Sequence, residues 1–177
     1  DEEIYKTLDP AEEAVEEDDI NSLEGEEGEE EDAEENGEEA LKVAEEKHYQ
    51  IISGLLPRTL QNPLLMMVKV SFNEIEDVLF SVKNLGELSD RIKDRLLSYG
   101  EQMSSKIVSA FLQSENFPVV FQDSRKLIAT DSHFGNANVD SRKTNENLKN
   151  WKLENQIYVV TGFIAKDKND DTTTLGR

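Results

Sequence analysis

The stretch Y-V-V-T-G-F-I-A-K-D-K-N-D-D-T-T-T-L-G-R, residues 158–177, decides the fold of this chain. It continues a run of β-branched and aromatic residues, 157–160, that is typical of a strand. Gly162 and Phe163 come next, and the polar residues 166–171 form a tip of the kind that joins two strands. The sequence therefore predicts a strand followed by a hairpin.

The last two residues of the stretch, Gly176 and Arg177, allow two interpretations. Backbone N–H groups at a glycine can approach an anion closely, and a guanidinium can bind it with two parallel hydrogen bonds. The pair could therefore hold a phosphate or a carboxylate. The simpler interpretation is a β-hairpin with an exposed arginine, and spacing alone favours it.

Charge is distributed very unevenly along the 177 residues. Residues 9–46 hold 20 acidic residues and one basic residue, a balance of −19, whereas residues 47–177 hold 16 acidic and 17 basic residues, a balance of +1. Repulsion between like charges and a shortage of apolar surface oppose ordering. We predict that residues 9–46 are a disordered acidic insertion; an acidic docking tail or a cation-binding run is the weaker alternative.

Composition excludes several classes of function. The chain has no cysteine, so it has neither disulfides nor thiolate metal sites. No apolar run approaches the ~20 residues that span a bilayer, and no stripe of Lys and Arg is present, so we expect neither a membrane nor a nucleic-acid partner. Because the sequence starts with Asp1 and ends inside a motif, we expect it to be an excerpt of a longer polypeptide.

The middle of the chain predicts helices. Apolar residues recur at three- and four-residue steps over 38–55, and again from Pro63, which is favourable in a first helical turn. Asn84 to Gly86 are expected to end this second helix. Ser89 can cap a third helix, which Gly100 is expected to break before a further apolar run begins. The methionines in these runs are interpreted as core residues rather than as ligands.

The remaining elements predict a parallel sheet. Residues 117–121 and 157–160 are apolar runs consistent with buried parallel strands, and residues 127–129 are a further short strand candidate. Residues 144–153, anchored by Trp151, predict a helix that carries the chain between the strands through a right-handed crossover. The order of elements indicates an α/β domain, in which ligands bind at the carboxyl ends of the strands.

Three titratable side chains, Glu101, His48 and His133, are candidates for binding a substrate or a metal ion. Glu101 follows the expected break at Gly100, where a carboxylate can cap unpaired helix N–H groups or face the cation of a small substrate. His48 is interpreted as a packed helix residue and His133 as an exposed loop residue, because neither has other ligands at metal-site spacing. The sequence therefore predicts no metal site.

Four segments together resemble the aspartate kinase (aspartokinase) family of the amino-acid kinase superfamily. They are G-F-I-A…T-T-T-L-G-R within 162–177, Y-G-E-Q-M-S-S-K-I-V at 99–108, L-G-E-L-S at 85–89 and T-D-S-H-F-G at 130–135. Their order and spacing make the resemblance specific. It covers residues 47–177, with a helical portion at 47–115 and an α/β portion at 116–177.

The resemblance implies a fold and a reaction. The fold is part of the amino-acid kinase fold, a three-layer αβα sandwich with a mainly parallel sheet, joined here by a helical subdomain. Aspartate kinases use ATP and Mg²⁺ to phosphorylate the side-chain carboxylate of L-aspartate, giving 4-phospho-L-aspartate for the synthesis of lysine, threonine, methionine and isoleucine. The resemblance also implies a homo-oligomer in the cytoplasm, or in the plastid of a plant or alga.

The resemblance assigns substrate-binding roles to four residues. Glu101 would hold the ammonium group of aspartate, Arg177 would clamp a carboxylate, and Gly162 and Phe163 would shape the pocket wall. The side chains of Glu101 and Arg177 are then expected to converge on one cavity.

Other parts of the family pattern have no counterpart in this sequence. They are the Lys-Phe-Gly-Gly-Thr segment with its lysine, the Gly-Gly-Ser-Asp segment with its catalytic aspartate, the nucleotide-binding half and the regulatory ACT domains. We therefore assign no catalytic and no nucleotide-binding residue. We expect the chain to carry the aspartate-binding side of the kinase and to be inactive alone.

Two alternatives remain open. Another amino-acid kinase, of the acetylglutamate or glutamate 5-kinase type, would share the fold, although the combination of Y-G-E and T-T-T-L-G-R argues against it. The second alternative is a non-catalytic helical interaction module with an acidic tail. That module would bind aspartate no differently after substitution of Glu101 or Arg177.

Overall fold

The structure, a computed structural model, describes residues 18–176, with side chains from Gly37 onward. The predictions made for residues 9–17 and for Arg177 lie outside the described residues. The chain divides into two compact units between Leu41 and Lys42. The predicted site residues belong to the second unit, whereas the predicted division into 9–46 and 47–177 stays a prediction.

The described residues form four α-helices: α1 (Asp18–Leu55), α2 (Arg58–Leu85), α3 (Asp90–Ser114) and α4 (Ser141–Asn150). As predicted, α2 ends at Gly86, whose positive φ of 65° costs a glycine little. As predicted, α3 begins after Ser89, whose side chain accepts a hydrogen bond from the N–H of Ile92 at 3.4 Å. Asp140 caps α4 in the same way, accepting from the N–H of Lys143 at 2.9 Å.

Two small sheets are built from β1 (Val119–Gln122), β2 (Ile157–Val160), β3 (Ile164–Lys166) and β4 (Thr172–Thr174). β1 and β2 pair in parallel and α4 lies between them in the chain, which confirms the predicted strand–helix–strand order. β3 and β4 pair antiparallel, with Ile164 opposite Thr174, and confirm the predicted hairpin. Residues 127–129, predicted as a strand, follow a 3₁₀ turn instead and contribute a single bridge from Ala129 to Lys166.

α3 is the central element of the second unit, since it contacts α2 as well as β1, β2 and β4. The core around it consists of apolar side chains that are at most 8% exposed. Each large one stabilises the fold by roughly 1.5–3 kcal/mol through its removal from water. They include Ile52, Leu56, Val68, Phe72, Tyr99, Met103, Ile107, Val119, Leu127 and Ile164.

The buried face of α3 is rich in small polar residues. Ser98, Ser105 and Ser109 are all buried, at helical spacings of seven and four residues that place them on one side. Side chains of this size let neighbouring backbone come close to the helix.

Two predictions about helix ends are wrong. Pro63 lies inside α2, which begins directly after Pro57; the packed face of a 28-residue helix outweighs the one hydrogen bond that a proline removes. Gly100 does not break α3, because an interior glycine costs only about 1 kcal/mol and buried residues continue on both sides of it.

α1 also includes residues 18–46, for which the sequence predicted a disordered insertion. Glutamate and alanine both have high helix propensity, and this segment contains no proline. Those local preferences favour a helical backbone there in spite of the charge repulsion. No helix within residues 18–176 contains an apolar segment long enough to cross a membrane.

Candidate functional site

Glu101 lies in the interior of α3, so its carboxylate does not cap the start of a helix as one interpretation had it. Its side chain instead reaches a different segment: Oε1 accepts a hydrogen bond from the N–H of Gly162 at 2.5 Å. The hydroxyl of Ser105, one turn further along α3, donates to the same oxygen at 3.3 Å. Among the described residues Oε2 has no hydrogen-bond partner, so this oxygen remains able to bind a cation.

Gly162 and Phe163 form a tight turn between β2 and β3. A Cβ atom on Gly162 would lie 3.3 Å from Oε1 of Glu101, so the absence of a side chain permits the close contact. Phe163 has a φ of 34°, in the left-handed region that non-glycine residues rarely adopt, and its side chain is 36% exposed. Such a conformation costs about 1–3 kcal/mol and is found most often at binding sites.

A buried polar cluster holds this turn from the other side. The N–H of Ser124, in the 3₁₀ turn Ser124–Lys126, donates to Oγ1 of Thr161 at 2.8 Å. The Ser124 hydroxyl donates to the carbonyl oxygen of Ile164 at 2.6 Å. Residues on both flanks of the turn are thereby fixed to one serine, which explains how the strained backbone at Phe163 is maintained.

The segment that leads to Arg177 is held by a buried carboxylate. Asp94 in α3 is 1% exposed. Its Oδ2 accepts hydrogen bonds from the N–H groups of Gly135 and Thr174, both at 2.9 Å, and its Oδ1 accepts from the Thr174 hydroxyl at 2.6 Å. One residue later, the N–H of Leu175 donates to the carbonyl oxygen of Phe163 at 2.8 Å, which joins β4 to the turn described above.

Gly176 is the last described residue before Arg177. A Cβ atom there would lie 1.6 Å from Oδ1 of Asn136, an overlap that only movement of the asparagine could relieve. Asn136 follows Gly135 in the loop 131–139, whose Ala137 donates its N–H to the carbonyl oxygen of Thr174 at 2.9 Å. The loop and the end of the hairpin therefore lie directly against each other.

Comparison with known proteins identifies the family. No protein-family model matches the chain. Curated relatives do: an aspartokinase of Helicobacter pylori is 32% identical over 124 residues, which are 67% of this chain and 30% of that protein. A bifunctional aspartokinase/homoserine dehydrogenase of Buchnera aphidicola is 27% identical over 144 residues, 78% of this chain and 18% of that protein. Over its matched part, the chain belongs to the aspartokinase family.

Solved aspartokinase structures show the same fold. Escherichia coli aspartokinase III in complex with aspartate and ADP matches with a TM-score of 0.72 at 24% identity, over 78% of this chain and 31% of that one. Clostridium acetobutylicum aspartate kinase matches with a TM-score of 0.55 at 22% identity, over 79% and 27% of the two chains. The present chain thus spans between about a fifth and a third of the length of these relatives.

Of the four site residues that the aspartokinase resemblance suggested, the structure brings Glu101 and Gly162 into contact and places Phe163 beside them. Arg177 lies outside the described residues, so its convergence with Glu101 stays a prediction. Asp94 was missed, because an aspartate between Lys93 and Arg95 is typical of an exposed helix face. Its seven-residue separation from Glu101, which puts both carboxylates on one side of α3, is the signal that could have found it.

A cleft of about 640 Å³ lies between α2, α3 and the tip of the hairpin in this member of the aspartokinase family. Arg125 lines it, and its guanidinium donates three hydrogen bonds to the Asp123 carboxylate: from Nε to both oxygens, at 3.0 and 3.1 Å, and from Nη2 to Oδ2 at 2.6 Å. Burial acts to raise the pKa of Asp123, but hydrogen bonds from Arg125 and its positive charge outweigh burial and lower it. Neither Glu101 nor Gly162 lines this cleft.

Tyr99 is the second polar group in the wall of the cleft. Its hydroxyl donates to Oε2 of Glu74 at 2.7 Å. Burial and this hydrogen bond to a carboxylate both raise the pKa of Tyr99, so the phenol stays protonated and holds α3 against α2.

The tip of the hairpin is organised by Asp167, a buried carboxylate that accepts hydrogen bonds from the N–H groups of Asn169 and Asp171, at 2.8 and 3.0 Å. The hydroxyl of Ser132 donates to its other oxygen at 2.6 Å. Burial acts to raise the pKa of Asp167, but these hydrogen bonds outweigh it and lower the pKa. This carboxylate is thus used in holding a turn together.

The resemblance implies ATP and Mg²⁺, for which the sequence assigned no residue of this chain. In the part of the chain that the structure describes, no group of three or more His, Asp and Glu side chains is arranged to hold a metal ion. The carboxylates at the site are used instead in hydrogen bonds to backbone N–H groups.

Proposed function

We propose that this chain supplies the aspartate-binding side of an aspartate kinase, an enzyme that transfers the γ-phosphoryl group of ATP to the side-chain carboxylate of L-aspartate. The hydrogen bond from Gly162 to Glu101 is the observation that carries the proposal, since it joins two motif segments 61 residues apart. The names of the relatives supply the reaction, and one solved relative is a complex with aspartate and ADP.

The geometry of the turn supports the roles proposed for Glu101 and Phe163, whereas the role of Arg177 rests on the family resemblance. Oε1 of Glu101 is engaged by the protein, which fixes the carboxylate and leaves Oε2 to accept a charge-assisted hydrogen bond from the ammonium group of aspartate. The exposed ring of Phe163 forms one wall of the pocket. Arg177 binds a carboxylate of the substrate with its guanidinium. Phosphoryl transfer depends mainly on positioning and charge neutralisation, so rigid binding of the acceptor is a substantial part of the catalysis.

Glu101→Gln in an active enzyme that contains this chain tests the proposal. The amide oxygen of glutamine can still accept from the Gly162 N–H, but its NH₂ group would replace Oε2 and face the ammonium group of the substrate. We expect L-aspartate binding to weaken by ~2 kcal/mol or more, because a charge-assisted contact is lost and the ammonium is left unpaired. Isothermal titration calorimetry with L-aspartate measures this directly.

Glu115→Gln is the matched control, since it makes the same chemical change at an exposed position at the end of the same helix. We expect it to leave the affinity for L-aspartate unchanged. Equal affinities for wild type and Glu101→Gln would refute the role of Glu101 and favour the non-catalytic interaction module.

Arg177→Ala is expected to weaken binding by a similar ~2 kcal/mol or more.

Two further assays separate the finer parts of the proposal. Comparison of L-aspartate with N-acetylglutamate and glutamate as phosphoryl acceptors distinguishes an aspartate kinase from the other amino-acid kinases. A coupled ADP-release assay on the 177-residue chain alone should give no aspartate-dependent signal above the blank, and a clear signal would contradict the expected inactivity.

We further propose that the full-length enzyme is a homo-oligomer, located in the cytoplasm or in a plastid.

A further inference from the structure

Asp94 is the most buried acidic side chain of α3, and its place in the fold is unusual for a charged group. A carboxylate that is 1% exposed loses most of its hydration, which is expensive unless several donors replace the water. Three neutral donors do so here: two backbone N–H groups and one hydroxyl. An apolar side chain in its place would leave the backbone N–H groups of Gly135 and Thr174 without an acceptor, so the carboxylate fixes both segments to α3.

The donors come from two segments that are distant in sequence. Gly135 lies 41 residues and Thr174 lies 80 residues from Asp94. The two segments are also bonded to each other, because the N–H of Ala137 donates to the carbonyl oxygen of Thr174 at 2.9 Å. Asp94 is therefore the point on α3 at which the loop and β4 are fixed together.

Thr174 also connects Asp94 to the proposed aspartate site. Thr174 is followed by Leu175, whose N–H binds the carbonyl oxygen of Phe163, and Arg177 is three residues away in sequence. Asp94 and Glu101 are seven residues apart, which places them on the same side of α3 and separates them by about 10 Å along its axis. One helix face therefore holds both segments of the site, β4 through Asp94 and the Gly162 turn through Glu101.

We propose that Asp94 is a positioning residue of the aspartate site: it fixes the strand that leads to Arg177 in register with the helix that carries Glu101. Asp94 touches no substrate in this proposal and acts only through Thr174 and Gly135. The inference rests on the proposed function, because it specifies how that site is aligned.

Two substitutions of Asp94 separate geometry from charge. In Asp94→Asn, the amide oxygen can accept from both backbone N–H groups, while the NH₂ group donates to the Thr174 hydroxyl, which can turn to accept. In Asp94→Leu, all three hydrogen bonds are lost within a similar volume. Ser109→Ala is the control, since it removes a buried hydroxyl of α3 that bonds only within the helix, to the carbonyl oxygen of Ser105.

Amide hydrogen exchange measured by NMR on the 177-residue chain tests the geometry without a substrate. We expect Asp94→Leu to raise the exchange rates of the Gly135 and Thr174 amides at least tenfold, and Asp94→Asn and Ser109→Ala to change them less than threefold. Unchanged protection of both amides in Asp94→Leu would overturn the proposal. Should Asp94→Leu fail to fold, Thr174→Val takes its place; it removes one of the three hydrogen bonds, and we expect at least threefold faster exchange at Gly135.

Steady-state kinetics of an active enzyme that contains this chain test the consequence for the substrate. We expect Asp94→Leu to raise the KM for L-aspartate at least tenfold and the KM for ATP less than twofold, with both constants near wild type in Asp94→Asn and Ser109→Ala. For Thr174→Val we expect at least a threefold rise in the KM for L-aspartate alone.

Several results would overturn the proposal. An equal rise in both KM values would show a general loss of structure, and a rise in Asp94→Asn with intact amide protection would show that the charge acts on the substrate itself. A rise in Ser109→Ala that matches Asp94→Leu would also overturn it. Failure of the wild-type enzyme to bind aspartate would refute the proposed function, and this inference with it, whereas normal binding with an unaffected Asp94→Leu would refute the inference alone.

Discussion

Thr161→Val is expected to destabilise the fold more than Thr173→Val, the same change at another buried threonine. The substitution exchanges a hydroxyl for a methyl group at a buried site and leaves the packing volume almost unchanged. Oγ1 of Thr161 accepts from the N–H of Ser124 at 2.8 Å. Because the Ser124 hydroxyl gives its one proton to the carbonyl oxygen of Ile164, the Thr161 hydroxyl must donate to Oγ of Ser124, 2.7 Å away.

The size of the destabilisation follows from the groups that lose a hydrogen-bond partner when the Thr161 hydroxyl is removed. Valine offers no acceptor, so the buried N–H of Ser124 remains unsatisfied, which costs about 1–3 kcal/mol. One further hydrogen bond to Oγ of Ser124 is lost, for about 1 kcal/mol. We expect the free energy of unfolding to fall by about 2–4 kcal/mol, which lowers the Tm of a chain of this length by about 4–16 °C.

Urea unfolding of the 177-residue chain measures the change, followed by far-UV circular dichroism and by the fluorescence of Trp151, the single tryptophan. The ring of Trp151 packs edge-on against Tyr158, 5.0 Å between centroids, so its fluorescence reports on β2 just before Thr161. The two probes should give one transition, as a two-state free energy requires.

Thr173→Val is the control for the loss of a buried hydroxyl. Thr173 is fully buried, but its hydroxyl pairs with the hydroxyl of Thr130 at 2.7 Å rather than with a backbone N–H. The group left behind is a rotatable hydroxyl, so we expect a cost of about 1 kcal/mol. Equal costs for the two substitutions, or a cost below about 0.5 kcal/mol for Thr161→Val, would refute the argument from the unsatisfied N–H.

The remaining predictions concern three other contacts. Gly176→Ala should cost about 1–3 kcal/mol through its overlap with Asn136 and should become nearly neutral in an Asn136→Ala background, which a thermodynamic double-mutant cycle checks. The pKa of Asp167 in the folded state is below its ordinary value of 3.8, so near that pH the native state binds fewer protons than the unfolded state. The free energy of unfolding therefore decreases as the pH falls through this range. Asp167→Asn should make this decrease smaller between about pH 5 and 3, as measured by urea titrations. Arg125→Lys loses the two-point contact with Asp123 and should cost about 1–2 kcal/mol, whereas no change in the urea midpoint would show that the ion pair is dispensable.

Local sequence signals predicted the elements that local chemistry controls. Gly86 ends α2 and Ser89 caps α3, because a left-handed C-cap and a side-chain N-cap are decided within a few residues. The two apolar runs that became β1 and β2 are parallel as expected, since the helix between them requires a crossover. The hairpin tip at 166–171 was equally predictable from its polar residues.

The errors arose where tertiary contacts outweighed local preference. Gly100 and Pro63 are unfavourable inside helices, but each costs only about 1–3 kcal/mol, and the packed faces of α3 and α2 extend across them. The burial of Asp94 depends on donors 41 and 80 residues away, which no local pattern contains. The sequence identified Glu101 only as a candidate substrate-binding residue. Its contact with Gly162 could not be predicted, because the two residues are brought together by the tertiary fold.

The arrangement of α3 explains why the two motif segments can share a site. Its buried face carries serines at 98, 105 and 109, which are too small to hold the neighbouring backbone away from the helix. Short carboxylate side chains can therefore reach backbone N–H groups directly: Asp94 binds Thr174, and Glu101 binds Gly162. A bulky residue on this face would separate both segments from the helix at once, even if every residue of the hairpin were retained. The site therefore requires the absence of bulky side chains from this face of α3 as well as the motif residues of the hairpin.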